Sequence, residues 1–240
     1  MSGVWQVRLK DVAGALIAII DDYQSFYCFR RVNTPGAFGL QMDGANAKCA
    51  LFVLDGQVEF WRRDAAQSVA WTLECEGLVR GWTRSMRDDG TTLYEVSGRG
   101  YADLLNRRII EAAPGSAGAD KTGKAETVAK AYVEEQCGPT AAARAQTGLS
   151  VEADGATGNT VTLARAHRKV LEVVQEIAKI GGGDFSVVGT GAATFQFKWH
   201  NGQLGTDKSA TLTFTPRYDN MARPQLIRHR HEEITAVLVG

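Results

Sequence analysis

The sequence has few cysteines, no excess of charge of either sign and no long hydrophobic run. Its four cysteines are far apart and never form a C-x-x-C pair, which argues against a zinc site and predicts free, buried thiols: Cys28, Cys49, Cys75 and Cys137. The 27 basic and 27 acidic residues balance, whereas a free nucleic-acid-binding protein usually has a basic excess. The most apolar run, Ala13–Ile20, is too short to span a bilayer and lacks a cleavage site. We therefore expect no membrane association and synthesis in a cytoplasm.

Strand patterns dominate the first hundred residues. The segment Ser68–Glu76 alternates apolar and polar residues, which predicts a strand with one face on a core. Arg87–Gly90 predicts a hairpin turn, and Thr91–Ser97 the returning strand. Further predicted strands lie at short intervals on both sides of a Pro-Gly turn: Trp5–Leu9, Ala15–Ile20 (as a buried strand), Ser25–Val32, Phe38–Met42, Ala50–Leu54 and Val58–Trp61. Asp43-Gly44 and Asp55-Gly56 have the composition of hairpin turns, and the whole pattern predicts a barrel or a sandwich.

Two helices are predicted after Gly100. Lys124–Cys137 and Ala166–Ile180 both have a one-sided apolar stripe at helical spacing, and Gly181-Gly-Gly183 ends the second. Tyr101–Ile110 has the pattern of a short helix, and Ala112–Gly123 that of a Gly-rich loop. Strands then return at Leu149–Glu152, Phe185–Gly189, Thr194–His200, Ala210–Thr215, Pro224–His231 and Ile234–Val239. The fold class is therefore α+β and β-dominated, with a barrel domain at 1–100, an αβ domain at 101–210 and returning strands at 211–240.

Five sequence segments occur in an order that resembles a known family. They are Arg30-Arg31 before a Pro-Gly turn and Gly-Ala-Phe-Gly-Leu40, Val58–Arg63 leading into Trp71–Arg80, Val96–Ile110, Ala125–Val133 and, late in the chain, Pro216–Asn220. This ordered set resembles the tail-hub, or baseplate-hub, proteins of long-tailed bacteriophages, which are related to the hubs of contractile injection machines. The resemblance covers nearly the whole chain.

The resemblance implies a tail-tube-like β-barrel with an inserted or appended αβ domain. It also implies a structural virion protein that forms a ring, as a trimer, at the distal end of the tail and surrounds the DNA channel. The implied partners are further copies of the chain, a tail-tube or distal-tail protein, a tail-tip protein and the tape-measure protein. DNA would pass through without specific binding.

Two groups of residues are candidates for subunit contacts in such a ring. Val237, Leu238 and Val239 form a dense apolar run in the terminal strand, whose unpaired edge would expose backbone donors and acceptors. Arg107 and Arg108 could contact an acidic neighbour. Together with Arg30-Arg31 and Arg62-Arg63 they could form a basic surface; the alternative is that all three pairs are solvated or salt-bridged on different elements.

No catalytic, cofactor or metal site is predicted. Gly98-Arg-Gly-Tyr-Ala-Asp103 half-matches a dinucleotide fingerprint, but Asp103 replaces the third glycine and would repel a pyrophosphate. His229 and His231 share a strand face without a further ligand. His167 has no partner residue at a spacing typical of a catalytic or metal site, and His200 is predicted to face outward on its strand. Two alternatives to a structural role remain: a hydrolase acting on cell-wall polymer, and a carbohydrate-binding β-module of the tail tip.

Overall fold

The computed structural model describes residues 4–63, 70–112, 118–208, 210, 211, 213 and 217. The chain divides into two compact units, Met1–Leu204 and Gly205–Gly240. All strands and α-helices among the described residues belong to the first unit. The predicted strands at Ala210–Thr215, Pro224–His231 and Ile234–Val239 lie outside the described residues, apart from single positions in the first of them. In the part of the chain that the structure describes, no helix is long and apolar enough to cross a membrane.

The first seven strands form one antiparallel sheet in the order β2-β1-β5-β6-β7-β4-β3. Their bounds are Val4–Lys10 (β1), Leu16–Ile20 (β2), Tyr23–Phe29 (β3), Ala37–Asp43 (β4), Gln57–Arg63 (β5), Thr72–Met86 (β6) and Thr92–Arg99 (β7). Alternate side chains point to the inside and form its apolar core, among them Val7, Leu9, Val58 and Phe60. The predicted hairpin at Arg87–Gly90 is confirmed, because it joins β6 to β7.

The sheet curls into a barrel that is open along one seam. Its two edge strands, β2 and β3, are consecutive in the chain and are joined by Asp21-Asp22 alone. That link spans at most roughly 11 Å, whereas seven flat strands would be about 29 Å wide. The Phe26 ring on β3 accordingly lies 5.2 Å from the Trp5 ring and 5.1 Å from the Phe60 ring, across the inside of the curled sheet.

The remainder of the first unit combines two helices with two small sheets. A 3-10 helix, Tyr101–Arg107, leads from β7 into this region. The elements that follow are β8 (Ala119–Lys124), α1 (Ala125–Gln136), β9 (Leu149–Val151), β10 (Thr160–Arg165), α2 (Val170–Gly181), β11 (Gly183–Gly191) and β12 (Thr194–Asn201). β10 pairs with β8, and β11-β12-β9 form a three-stranded sheet. Both helices share one apolar core with Phe185, Phe197 and Trp199 of that sheet.

The β-dominated α+β class is confirmed, and so are both long helices. α1 lies within its predicted range, and Gly182 ends α2 in the left-handed conformation at φ 71°. α2 begins at Val170 rather than Ala166, because His167 has φ 58° and Lys169 is the extended residue before the first turn. The short helix after Gly100 is a 3-10 helix that ends at Arg107.

Five local predictions are wrong, and long-range pairing explains most of them. Ala50–Leu54 is not a strand, since a 3-10 helix occupies Ala47–Leu51. Asp43-Gly44 and Asp55-Gly56 do not make hairpins, because β4 pairs with β3 and β7 rather than with β5. The predicted loop 112–123 contains most of β8, which pairs with β10; residues 113–117 lie outside the described part. β2 was expected to be buried but lies at an edge of the sheet.

Candidate interaction surfaces

Strand β2 presents an apolar edge. It reads Leu-Ile-Ala-Ile-Ile, contains no charged residue and, in the part of the chain that the structure describes, pairs on one side only, with β1. Leu16, Ile17 and Ile19 are 54%, 41% and 40% exposed. Natural edge strands are usually shielded by charges, proline or a bulge, since an apolar edge invites pairing with another chain. The apolar pattern of Ala15–Ile20 was visible in the sequence, but it indicates a buried strand equally well.

The opposite edge of the barrel sheet is also apolar. On β3, Tyr27 and Phe29 are exposed, and their rings stack 5.3 Å apart at an angle of 16°. The guanidinium of Arg31 lies 5.3 Å from the centre of the Phe29 ring. Within the described ranges β3 pairs with β4 alone, so this strand, like β2, forms an edge of the described sheet.

Two carboxylates lie on the outside of the barrel, and one of them, Glu76, contacts strand β11. Glu59 is buried, forms an ion pair with Lys10 and accepts a hydrogen bond from Trp61 Nε1 at 2.8 Å. On the neighbouring strand, Glu76 Oε1 accepts the Gly189 N–H at 3.1 Å. Burial raises the pKa of Glu76 above its usual range, an effect that this hydrogen bond only partly offsets. The site therefore holds a carboxyl group that is more easily protonated than one in water.

Asn33, in a turn of the barrel, is hydrogen-bonded to α2 and β11 of the helical region. Asn33, between β3 and β4, adopts φ 57°, a conformation that asparagine tolerates well. Its side chain donates to Asp184 Oδ1 and accepts the Phe185 N–H, both at 2.7 Å, and its carbonyl accepts from Gln175 Nε2 at 2.7 Å. Since these partners lie more than 140 positions away in the chain, the sequence carried no signal for them.

The arginines proposed for subunit contacts are engaged within the chain. Arg107 forms a bidentate interaction with the Asp55 carboxylate, with Nη2–Oδ1 at 2.7 Å and Nη1–Oδ2 at 3.2 Å. Arg108 Nε donates to the Arg144 carbonyl at 2.6 Å. In a single copy of the chain, both arginines therefore make internal contacts, as the alternative to subunit contacts predicts. Val237, Leu238 and Val239 lie outside the described residues. The role of all five in an assembly remains a prediction.

The glycine-rich junction at Gly98 has a packing role. A Cβ atom at Gly98 would lie 2.1 Å from the Phe38 ring and 2.4 Å from the Leu78 carbonyl oxygen, so only glycine fits. Asp103 is buried and contacts Arg80 Nε at 3.3 Å. The four cysteines are free, and within the described ranges no group of His, Cys, Asp and Glu side chains is arranged to hold a metal ion. His200 Nε2 lies 2.9 Å from Ser186 Oγ. His229 and His231 fall outside those ranges.

Comparison with known proteins gives one family and several distant structural likenesses. The profile of the family described as Siphovirus ReqiPepy6 Gp37-like protein matches residues 5–240. The tail protein from Neisseria meningitidis MC58 superposes with a TM-score of 0.48 at 12% identity, over 82% of this chain and 51% of that one. The E. coli c3393 protein, described as a component of the type VI secretion system, superposes with a TM-score of 0.41 at 13% identity, over 82% of this chain and 46% of that one. A Francisella PdpA-VgrG complex superposes with a TM-score of 0.48 at 8% identity, over 92% of this chain and 34% of that one.

The family match is the informative comparison. The chain spans about half or less of the length of the solved structures named above, and no curated protein matches its sequence. The matched family is a siphovirus family, which confirms the resemblance to proteins of long-tailed bacteriophages that the sequence alone indicated. Because the match covers all but the first four residues, the chain belongs to the Siphovirus ReqiPepy6 Gp37-like protein family.

Proposed function

We propose that this protein is a structural, non-enzymatic component of the phage tail that forms a ring at the distal end of the tail tube. In this role it joins the tube to the tail tip, surrounds the channel through which DNA passes without specific binding, and assembles into virions in the host cytoplasm. Its partners are further copies of itself, in a trimer, with a tail-tube or distal-tail protein, a tail-tip protein and the tape-measure protein. Membership of a siphovirus family supports this role.

The observation that carries the proposal is the pair of open, apolar sheet edges. Among the described residues, a single copy presents β2 on one side of the barrel seam and β3 on the other, and each of them pairs with one neighbouring strand only. Two different edges on one subunit favour a head-to-tail contact, in which β2 of one copy meets β3 of the next. Contacts of this kind close into a ring when the rotation between copies permits. The exposed Ile17, Ile19, Tyr27 and Phe29 would then be covered.

The test places charge on the β2 edge. Ile17→Lys combined with Ile19→Lys should leave the monomer folded, because both side chains are partly solvent-exposed. It should abolish ring formation, measured by chemical cross-linking and native mass spectrometry, and incorporation into tails. Met86→Lys is the matched control, since Met86 is an apolar residue exposed far along the β6–β7 hairpin. Normal assembly of the double variant would refute the proposed role of β2.

A further inference from the structure

A cleft separates the barrel from the three-stranded sheet. It has a volume of about 520 Å³. One wall is strand β11 with its neighbour β12, and the other is formed by β6, the start of the 3-10 helix and the β3–β4 turn. The apolar part of the lining comes from Phe29, Leu73, Tyr101, Phe185, Val187 and Val188. The cleft is thus long enough to follow five consecutive residues of β11, from Phe185 to Gly189.

Among the described strands β11 lies at the edge of its sheet, and the side away from β12 faces this cleft. In an antiparallel pair, alternate residues direct both backbone groups toward the partner strand or away from it. The N–H groups of Phe185 and Gly189 point away from β12, because Asn33 Oδ1 accepts the first at 2.7 Å and Glu76 Oε1 the second at 3.1 Å. Val187 lies between these two residues and shares their orientation, so its N–H and C=O also face outward.

Val187 is therefore an outward-facing position between two residues whose N–H groups already have partners. In the described part of the chain, no donor or acceptor pairs with the outward backbone groups of Val187. Side chains of the barrel accept hydrogen bonds from the N–H groups two residues before and two residues after it. A backbone N–H and C=O in such a place are the groups that an added strand uses.

The charge around the cleft indicates what kind of strand would fit. Arg30, Arg31 and Lys198 line it, against the single carboxylate of Glu76. Arg30 donates to the carbonyls of Leu73 and Glu74 and lies 3.8 Å from the Glu74 carboxylate. Lys198 lies 3.9 Å from the Glu152 carboxylate. Arg31, over the Phe29 ring, forms no ion pair within the described part of the chain, so the basic side chain left to attract a carboxylate is chiefly that of Arg31.

We propose that this cleft binds an extended, acidic segment of a neighbouring tail protein, which adds a strand to β11 by pairing with the backbone of Val187. Aliphatic side chains of the segment would lie on the apolar floor, and its carboxylates would contact Arg31 and Lys198. The identification of the occupant as a tail protein rests on the proposed function, whereas the strand-addition site rests on β11 itself.

The experiment uses a defined peptide with the full-length protein. A fluorescein-labelled seven-residue peptide, Val-Thr-Val flanked by two aspartates on each side, should bind in a fluorescence-anisotropy titration. The same peptide with lysines in place of aspartates should bind roughly tenfold more weakly. N-methylation of its valine amides should weaken binding to a similar extent, because the peptide could then no longer donate to the Val187 carbonyl. Amide hydrogen exchange at Val187 should slow when the acidic peptide is bound.

Charge reversal provides the internal check. The Arg31→Glu/Lys198→Glu double variant should prefer the lysine peptide, whereas Arg87→Glu, in the distant β6–β7 turn, should behave as the wild type. Absence of binding, or equal binding of the N-methylated peptide, would overturn the proposal. These results do not depend on ring formation, since cross-linking of the β2 edge variants measures that property separately.

Discussion

Glu126 and Lys130 show how one buried ion pair can organise a loop. The Glu126 carboxylate accepts hydrogen bonds from Lys130 Nζ at 2.5 Å, from the backbone N–H of Gly155 and Thr157 at 3.0 Å, and from Thr157 Oγ1 at 2.6 Å. Lys130 also donates to the Ala153 carbonyl at 2.6 Å. Burial alone would raise the pKa of Glu126, but these donors outweigh it and lower the pKa to about 2. The ionised carboxylate thus holds residues 153–157 against α1.

We expect Glu126→Gln to lower the free energy of unfolding by about 3 kcal/mol at pH 7, because it leaves the buried Lys130 ammonium with only the more distant carboxylate of Glu152, at 3.7 Å. The folded-state pKa of Glu126 lies below the unfolded value of about 4.3. Its contribution is therefore complete above that value and is lost as the pH falls toward 2. Urea unfolding of both proteins between pH 7 and pH 3 measures the effect, and the difference between them should shrink at low pH.

Glu135→Gln on the same helix is the matched control. Glu135 forms an exposed pair with Lys121 at 2.6 Å, and exposed pairs contribute about 0.5 kcal/mol. If Glu135→Gln lowered the free energy of unfolding as much as Glu126→Gln does, burial could not be the reason for the effect at Glu126.

Close packing of β7 against β4 requires a glycine at position 98. Phe38 and Gly98 are direct cross-strand partners, and the Phe38 ring covers the Gly98 Cα. We expect Gly98→Ala to destabilise the barrel by about 3 kcal/mol, because the added methyl group would overlap the ring and the Leu78 carbonyl. Gly81→Ala, on the adjacent strand, is the comparison: its nearest neighbour would be Ser97 Oγ at 3.6 Å. Thermal unfolding should separate the two variants, and equal melting temperatures would contradict this explanation.

Elements determined by neighbouring residues could be predicted from the sequence. The β6–β7 hairpin follows from Arg87–Gly90, and α1 from an apolar stripe that its own residues create. The pairing partners of β4 could not be predicted. Packing inside the barrel determines that it pairs with β3 and β7, whereas the turn signal at Asp43-Gly44 indicated a hairpin with the following segment. The cleft beside β11 was equally hidden, since Asn33 and Phe185 meet only after both regions have folded.

At the scale of the whole molecule, the last strands carry the remaining prediction about assembly. We expect deletion of residues Ile234–Gly240 to abolish incorporation into tails, because it removes the apolar run Val237–Val239. Electron microscopy and immunoblotting of particles from a complemented deletion phage would measure this. Solubility of the truncated protein is the accompanying control, and infectious particles at normal occupancy would refute the expectation.

The strand order also determines how the barrel can fold. β1 pairs with β5 and β4 with β7, so Val4 meets Arg63 and Phe38 meets Gly98, residues about sixty positions apart in each case. Pairings of such separation require large loops to close before they gain any contact, which slows folding to milliseconds or longer. During translation, β2 leaves the ribosome long before β5 can dock on β1. Its apolar edge is therefore exposed throughout synthesis, which makes this strand liable to pair with other chains and to aggregate before anything covers it.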